Sequence, residues 1–178
     1  INYSRRYDFQ KSAESLNGIL EDVVKSLQVQ IQVQKIQIIK ALDPRLPAIA
    51  CDPHVLHEAF ENIFMNVLQA VGSQENQSLI LKSEVIQGYV RNGTSDAALM
   101  AENRNQPEPA VAVSITNTGS VIPIEIRGKI FTPFFTTKES GSGLGLAIVK
   151  KIVEGHNGEI FAESSEDKGE KKTTIRMI

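Results

Sequence analysis

Cysteine, long apolar runs and an excess of either charge are all scarce in this chain of 178 residues. The single cysteine, Cys51, excludes a disulfide within the chain and fits a reducing compartment such as the cytoplasm. No apolar stretch approaches the length that crosses a bilayer, so we expect no membrane contact by this fragment. The formal net charge of −2 gives no bulk attraction to nucleic acid. With 41% hydrophobic residues, the chain is expected to form one domain around one core.

A glycine-rich stretch near the C-terminal end carries the strongest pattern. A strand-like run at residues 110–116 ends at Asn117, and the sequence GSGLGL follows at residues 141–146. The apolar residues after it recur at helical spacing. Glycines directly before a helix let backbone N–H groups approach a phosphate, and the helix N-terminus adds partial positive charge. The pattern indicates an anion site, although such turns are also common for steric reasons alone.

A second helix is predicted to begin at Asp52. Aspartate is a preferred helix cap, and Pro53 suits the first helical position. Apolar residues then recur at three- and four-residue spacing, which predicts one broad buried face. Along the polar flank, Glu58, Asn62 and Asn66 lie four residues apart and therefore stack in a line. Taken alone, two asparagines on a solvated helix face need no functional explanation.

These motifs together resemble those of sensor histidine kinases, within the superfamily of gyrase, the Hsp90 chaperones, histidine kinases and MutL. IFTPFFTTK at residues 130–138, followed by GSGLGL, resembles the family's F-box and second glycine box. EAFENIFMNVLQA at residues 58–70 resembles its N-box. The sequence FFTTK at residues 134–138 is most similar to the corresponding motif of the nitrogen-sensor type of kinase. The presence of several motifs in the family's order makes a chance resemblance a poor explanation.

The resemblance implies the Bergerat ATP-binding fold. This is an α/β sandwich, with a mixed, mostly antiparallel sheet and helices packed on one face. Residues 15–178 would form the ATP-binding catalytic domain, and residues 1–14 the tail of a preceding dimerisation helix or a linker. Residues 118–142 would form a lid, with Phe131, Phe134 and Phe135 anchoring it to the body.

The resemblance also gives roles to individual residues. Asn66 would hold the Mg²⁺ that bridges the ATP phosphates, since Mg²⁺ keeps most of its waters and takes few protein oxygens. The candidate catalytic residues are Asn62 and Lys138, and Lys138 would neutralise phosphate charge. Asn62 stands where the hydrolysing members have a glutamate that activates water. Because an amide cannot act as a base, the sequence favours phosphoryl transfer over hydrolysis. The candidate nucleotide-binding residues are Asn66, Asn117, Gly119, Gly141, Gly143, Leu144 and Gly145.

Three positions depart from the family's pattern, and so does the last strand, which has Lys171-Lys172 where the family has a glycine-threonine entry. Asn117 stands where an aspartate usually binds the adenine amino group, Val121 replaces a glycine, and Gln69 replaces a positively charged residue. A neutral hydrogen bond is weaker than a charged one by roughly 1–1.5 kcal/mol. This predicts ATP affinity about tenfold lower than with an aspartate. An amide that rotates can also meet either purine, so we expect poorer discrimination against GTP.

Two functions are compatible with the sequence. The first is the ATP-binding catalytic domain of a two-component sensor histidine kinase. It would transfer the γ-phosphoryl group of ATP to a histidine in a separate dimerisation domain of the same longer, homodimeric protein, with a response regulator as the next partner. The alternative is a degenerate ATPase-fold module with weak or no catalysis, acting through protein contacts. Asn66 and the glycine box favour the kinase, whereas Asn117, Val121 and the altered last strand favour the module.

Overall fold

A five-stranded sheet forms one layer of the molecule, and helices form the other. The computed structural model describes residues 7–71, 77–90, 107–138 and 141–178. The strands are β1 (Ser12–Glu14), β2 (Gln37–Leu42), β3 (Ile49–Cys51), β4 (Ser78–Tyr89), β5 (Glu108–Thr118), β6 (Ile160–Asp167) and β7 (Glu170–Met177). The helices are α1 (Leu16–Ser26), α2 (Gln28–Val33), α3 (Pro53–Val71), α4 (Ile124–Arg127) and α5 (Gly145–Gly155).

The main sheet has the spatial order β2-β4-β5-β7-β6. Strand β2 runs parallel to β4, and the other neighbouring pairs are antiparallel. A separate small sheet pairs β1 with β3. The prediction of a mixed, mostly antiparallel α/β sandwich is therefore confirmed.

Strand register places the core on one face of the main sheet. Leu81, Ile115 and Ile175 are partners across β4, β5 and β7, and all three are buried. Because side chains alternate along a strand, Asn117 and its partner Thr173 lie on this same face, at the end of their strands. The register thus carries two polar side chains to the margin of an apolar core.

Local capping positions two of the helices. The Ser15 hydroxyl accepts a hydrogen bond from the Gly18 N–H at 3.2 Å. Asp52 Oδ1 accepts from the N–H groups of His54 and Val55 at 3.1 and 3.2 Å. The predicted cap at Asp52 is confirmed, and it fixes the start of the helix that carries the candidate metal residue.

Short elements were not predicted. Helices α2 and α4 and strands β1 and β3 have no more than six residues each, too few to show a period. Of the predicted loop at residues 87–109, residues 91–106 lie outside the described part. The described helices include none that is long and apolar enough to span a bilayer. Burial raises the pKa of the Cys51 thiol to about 11, as expected of a structural cysteine.

The described residues before β1, 7–11, form neither helix nor strand and pack against the body. Tyr7 stacks on Phe9 with ring centroids 5.6 Å apart, and Phe9 contacts the His156 ring edge-on at 4.6 Å. The Gln10 N–H donates to Asp52 Oδ2 at 2.9 Å. None of residues 7–14 is helical. The division of the chain at residue 14 stays a prediction.

Candidate nucleotide site

Two asparagine amides on α3 are oriented by the helix itself. Asn62 Nδ2 donates to the Glu58 carbonyl, and Asn66 Nδ2 donates to the Asn62 carbonyl, each at 2.9 Å. Each amide uses a nitrogen to bond the preceding turn, so its oxygen is left pointing away from that turn. Asn66 therefore presents Oδ1 as a fixed acceptor.

Lys138 supplies positive charge next to that acceptor. Its Nζ lies 3.4 Å from Asn66 Oδ1 and 2.7 Å from Gln69 Oε1. Partial burial lowers the pKa of Lys138 below its ordinary value of 10.5. A residue of the predicted lid therefore reaches α3 and meets the candidate metal residue.

The N-terminus of α5 lies against the same asparagines. A Cβ on Gly145 would come within 3.3 Å of both Asn62 Oδ1 and Asn66 Nδ2. A glycine at this position lets the helix approach α3 closely. No side chain caps α5 at Leu144, so its first N–H groups can donate to an anion. Backbone donors, an amide oxygen and an ammonium group thus meet at one place.

The loop before α5 depends on Gly143. Its φ of 67° is in the left-handed region, and its carbonyl accepts from the Phe134 N–H at 2.9 Å. A Cβ there would lie 2.4 Å from the Phe134 carbonyl carbon, so a side chain does not fit. Gly141 donates its N–H to the Lys138 carbonyl at 3.2 Å. The glycine box therefore folds back onto the residues that precede it.

Asn117 is buried at the end of β5, with 3% of its surface exposed. Its Nδ2 donates to the Ser120 hydroxyl at 2.8 Å and to the Thr118 carbonyl at 3.3 Å. A carbonyl can only accept, so the Thr118 contact sets which end of the amide points there. Contrary to the expectation from sequence, the amide is held in one orientation, and its oxygen is the atom left to accept a bond.

Gly119 continues this turn with a φ of 88°, in the left-handed region. Its N–H donates to the Lys171 carbonyl at 2.8 Å, which ties the turn to β7. The Thr173 hydroxyl donates to the Ser120 carbonyl at 2.9 Å and adds a second tie. The turn at the end of β5 is thus fixed to a neighbouring strand.

The structure brings Asn62, Asn66, Lys138 and Gly145 together, and it places Leu144 at the start of α5. Asn117 and Gly119 form a separate cluster at the end of β5, and Gly141 and Gly143 lie in the loop before α5. These placements fit the predicted roles but do not test them.

One expectation about the aromatic cluster is wrong. Phe131 and Phe135 are partly buried and pack on the core, as expected of anchors. Phe134 instead is 71% exposed and has a φ of 66°. Its N–H bonds to Gly143, and this backbone turn directs the side chain outward.

Sequence reasoning missed the local roles of Ser120, Thr173 and the Gln69 amide. Gln69 was recognised only as an absent positive charge. Its spacing of three residues from Asn66 does place the two on one side of the helix. The contacts of Ser120 and Thr173 join separate strands and turns, and no local pattern predicts them.

The residues around Asn66 fit a magnesium–ATP complex. Asn66 Oδ1 already faces a cationic group in this structure, and neutral oxygens are ligands that Mg²⁺ accepts. Asn66 would hold the ion, which would supply neutralisation of phosphate charge. The donors at the start of α5 lie beside it, where phosphate oxygens need partners.

A family model described as histidine kinase-, DNA gyrase B- and HSP90-like ATPase matches residues 51–177. The chain is 30% identical over its full length to the signal transduction histidine-protein kinase AtoS of Escherichia coli. It is also 30% identical, over 87% of its length, to the sensory histidine kinase/phosphatase NtrB of Vibrio alginolyticus. It spans 26% of AtoS and 41% of NtrB.

Solved structures of histidine kinases also match this chain. The nucleotide-free catalytic domain of histidine kinase ThkA matches with a TM-score of 0.69 and 27% identity, covering 96% of this chain and 95% of that one. ThkA in complex with the response regulator TrrA also matches, with a TM-score of 0.69 and 25% identity. That match covers 98% of this chain and 43% of the solved ThkA chain.

Proposed function

The chain belongs to the histidine kinase-, DNA gyrase B- and HSP90-like ATPases, and we propose that it is the ATP-binding catalytic domain of a two-component sensor histidine kinase. It would bind ATP with Mg²⁺ and present the γ-phosphoryl group to a histidine of a separate dimerisation domain in the same longer protein. That protein would act in the cytoplasm as a homodimer and pass its phosphoryl group to a response regulator. The complex of ThkA with TrrA supports the last step by analogy.

Three kinds of phosphate partner meet between α3, the start of α5 and the loop that precedes α5, and this meeting carries the proposal. Asn66 offers an oriented oxygen, Lys138 offers an ammonium group, and α5 offers uncapped N–H groups. Phosphoryl transfer needs positioning and charge neutralisation more than covalent chemistry from the protein. These groups supply both.

Asn62 decides the type of reaction in this proposal. Its amide bonds the helix backbone at Glu58, and an amide has no basic site with which to activate water. Bound ATP would therefore survive until an external nucleophile arrives. Transfer to a histidine is favoured over hydrolysis. The comparisons give no support to the alternative of a degenerate module.

Calorimetry tests the proposal with ATP in the presence and absence of Mg²⁺. We expect Mg²⁺ to raise ATP affinity, and we expect Asn66→Ala to remove that increase. Since a hydrogen bond or ion contact of this kind contributes about 1.5–3 kcal/mol, the loss should be about 10- to 150-fold. His54→Ala is the matched control, because His54 is exposed on the first turn of the same helix. Equal affinity with and without Mg²⁺ in the unmodified chain would contradict the assignment.

A further inference from the structure

We propose that Gln69 is a positioning residue that holds the Lys138 ammonium where the terminal phosphates of ATP would lie. The inference rests on the proposed nucleotide site and adds a residue to it. It assigns a role to a neutral side chain on the exposed edge of α3, which by itself cannot neutralise a phosphate. Gln69 would act through Lys138 and not through contact with the nucleotide.

Two amide oxygens share the Lys138 ammonium, and they do so unequally. Gln69 Oε1 lies 2.7 Å from Nζ, whereas Asn66 Oδ1 lies 3.4 Å away. The shorter distance is that of a charge-assisted hydrogen bond, and the longer one is a marginal contact. Gln69 is therefore the principal partner of the lysine.

The backbone of Lys138 is also fixed, so its side chain is directed from both ends. Its N–H donates to the Thr136 hydroxyl at 3.1 Å, and its carbonyl accepts from the Gly141 N–H at 3.2 Å. A lysine side chain has four rotatable bonds and loses much conformational entropy when it is held in one place. A second fixed point at Gln69 lowers the number of conformations that compete with the one facing the site.

Asn66 alone is a poor partner for this purpose. In the proposed site its oxygen is the ligand of Mg²⁺, and an ammonium group and a divalent cation repel each other at one oxygen. The contact between Lys138 Nζ and Asn66 Oδ1 must then break when the metal–nucleotide complex binds. Gln69 keeps an acceptor for the lysine one turn further along the same face of α3. The positive charge stays beside the phosphates in both states.

This arrangement predicts that a positive charge on the side chain at position 69 of α3 can replace the positive charge of Lys138 in the lid. Gln69 Oε1 and Lys138 Nζ are in hydrogen-bond contact, so an arginine at position 69 would place its own positive charge close to the present position of Nζ. Gln69→Arg alone would put two positive charges together. Combined with Lys138→Met, it would restore a single cation at that place.

The experiment measures the affinities of magnesium–ATP and of adenosine for the unmodified chain, Gln69→Leu, Lys138→Met and the double variant Gln69→Arg/Lys138→Met. We expect Lys138→Met to weaken magnesium–ATP binding about tenfold or more, as loss of a charge-assisted contact does. Gln69→Leu should weaken it by roughly three- to tenfold, since it removes only the anchor. Adenosine affinity should be unchanged in both, because adenosine has no phosphates. The double variant should bind magnesium–ATP within about threefold of the unmodified chain.

Lys82→Met is the matched control. Lys82 is exposed on β4 and, by strand alternation, lies on the sheet face opposite the buried Leu81 and the helices. The inference is overturned if Gln69→Leu leaves magnesium–ATP affinity unchanged, if it weakens adenosine equally, or if the double variant is no better than Lys138→Met. If the unmodified chain binds adenosine but gains nothing from the phosphates, the proposed function fails and not only the role of Gln69.

Discussion

A single buried amide at the end of β5 would control what the proposed base site recognises. The amide nitrogen of Asn117 donates hydrogen bonds to the Thr118 carbonyl and the Ser120 hydroxyl. The oxygen that remains can accept from the 6-amino group of adenine and faces the 6-carbonyl of guanine unfavourably. A neutral asparagine held in this way therefore offers the base the same acceptor as an aspartate, without the charge.

We predict that the chain prefers ATP to GTP. Rotating Asn117 to meet guanine would place its oxygen against the Thr118 carbonyl and lose that hydrogen bond, whereas the Ser120 hydroxyl can turn to donate to the rotated oxygen. Loss of one neutral hydrogen bond contributes about 0.5–1.5 kcal/mol, which corresponds to a preference of about 2- to 12-fold. Competition of GTP against a fluorescent ATP analogue measures it. Inosine triphosphate, which shares the 6-carbonyl but lacks the 2-amino group, should compete as poorly as GTP, and equal affinity of ATP and GTP would show that the amide turns freely.

Roles that depend on local spacing could be predicted from sequence, and roles that depend on distant partners could not. The line from Glu58 to Asn66 follows from helical geometry and is seen as hydrogen bonds to the preceding turn. The contact between Gln69 and Lys138 joins residues 69 positions apart. Asn117 was identified by its motif, but its orientation depends on the turn that follows it.

The packing of the start of α3 against the end of α5 could not be predicted from sequence either, because it depends on contacts between distant residues. The His156 ring accepts the Asp52 N–H at Nε2, 3.0 Å away, and its Nδ1 is 2.8 Å from the Ile152 carbonyl. A carbonyl can only accept, so Nδ1 carries the proton and the ring is neutral. This contact between residues distant in sequence joins the two helices that carry the proposed nucleotide site, and no local pattern predicts it.

This junction predicts a loss of stability in mild acid. Burial is the main cause that lowers the pKa of His156 below its ordinary 6.5, and the charge of Lys11 adds to it, against the opposing effects of the Ile152 bond and Asp52. The unfolded chain then binds the proton more readily than the folded one. The contribution of His156 is complete above pH 6.5 and is lost as the pH falls from there through the lowered folded pKa.

Chemical denaturation at a series of pH values measures this effect. The free energy of unfolding should fall as the pH drops from about 6.5 towards 5, and His156→Gln should remove that slope. His54→Gln, at an exposed position, should keep it. Titration of the Asp52 carboxyl does not contribute to the change in stability between about pH 6.5 and 5. Burial raises the pKa of its carboxyl, but the backbone hydrogen bonds from Gln10, Val55 and His54 outweigh burial and bring the pKa below 3.8. The loss of stability caused by protonation of Asp52 therefore occurs at lower pH than the loss caused by His156. A slope that persists in His156→Gln would contradict the role of His156.

At the scale of the whole molecule, the proposed site has phosphate partners but no nearby histidine to accept a phosphoryl group. His57 and Asn66 are nine residues apart on α3, which corresponds to roughly 13 Å along the axis and to opposite sides of the helix. His54 lies a further turn away. His156 has both ring nitrogens engaged at the far end of α5. The geometry of the described histidines therefore favours an acceptor supplied from elsewhere.

We predict that this chain alone shows negligible autophosphorylation although it binds ATP. None of its three histidines is placed to meet a γ-phosphoryl group held at Asn66, and Asn62 cannot activate water to replace them. Incubation with labelled ATP, followed by acid and base treatment, detects phosphohistidine by its acid lability. Adding the dimerisation segment of the proposed longer protein should produce the label on that segment, and Asn66→Ala should prevent it. His57→Gln should change neither result. Acid-labile label on His57 of the isolated chain would show that the helix geometry does not protect it and that the acceptor lies within this domain.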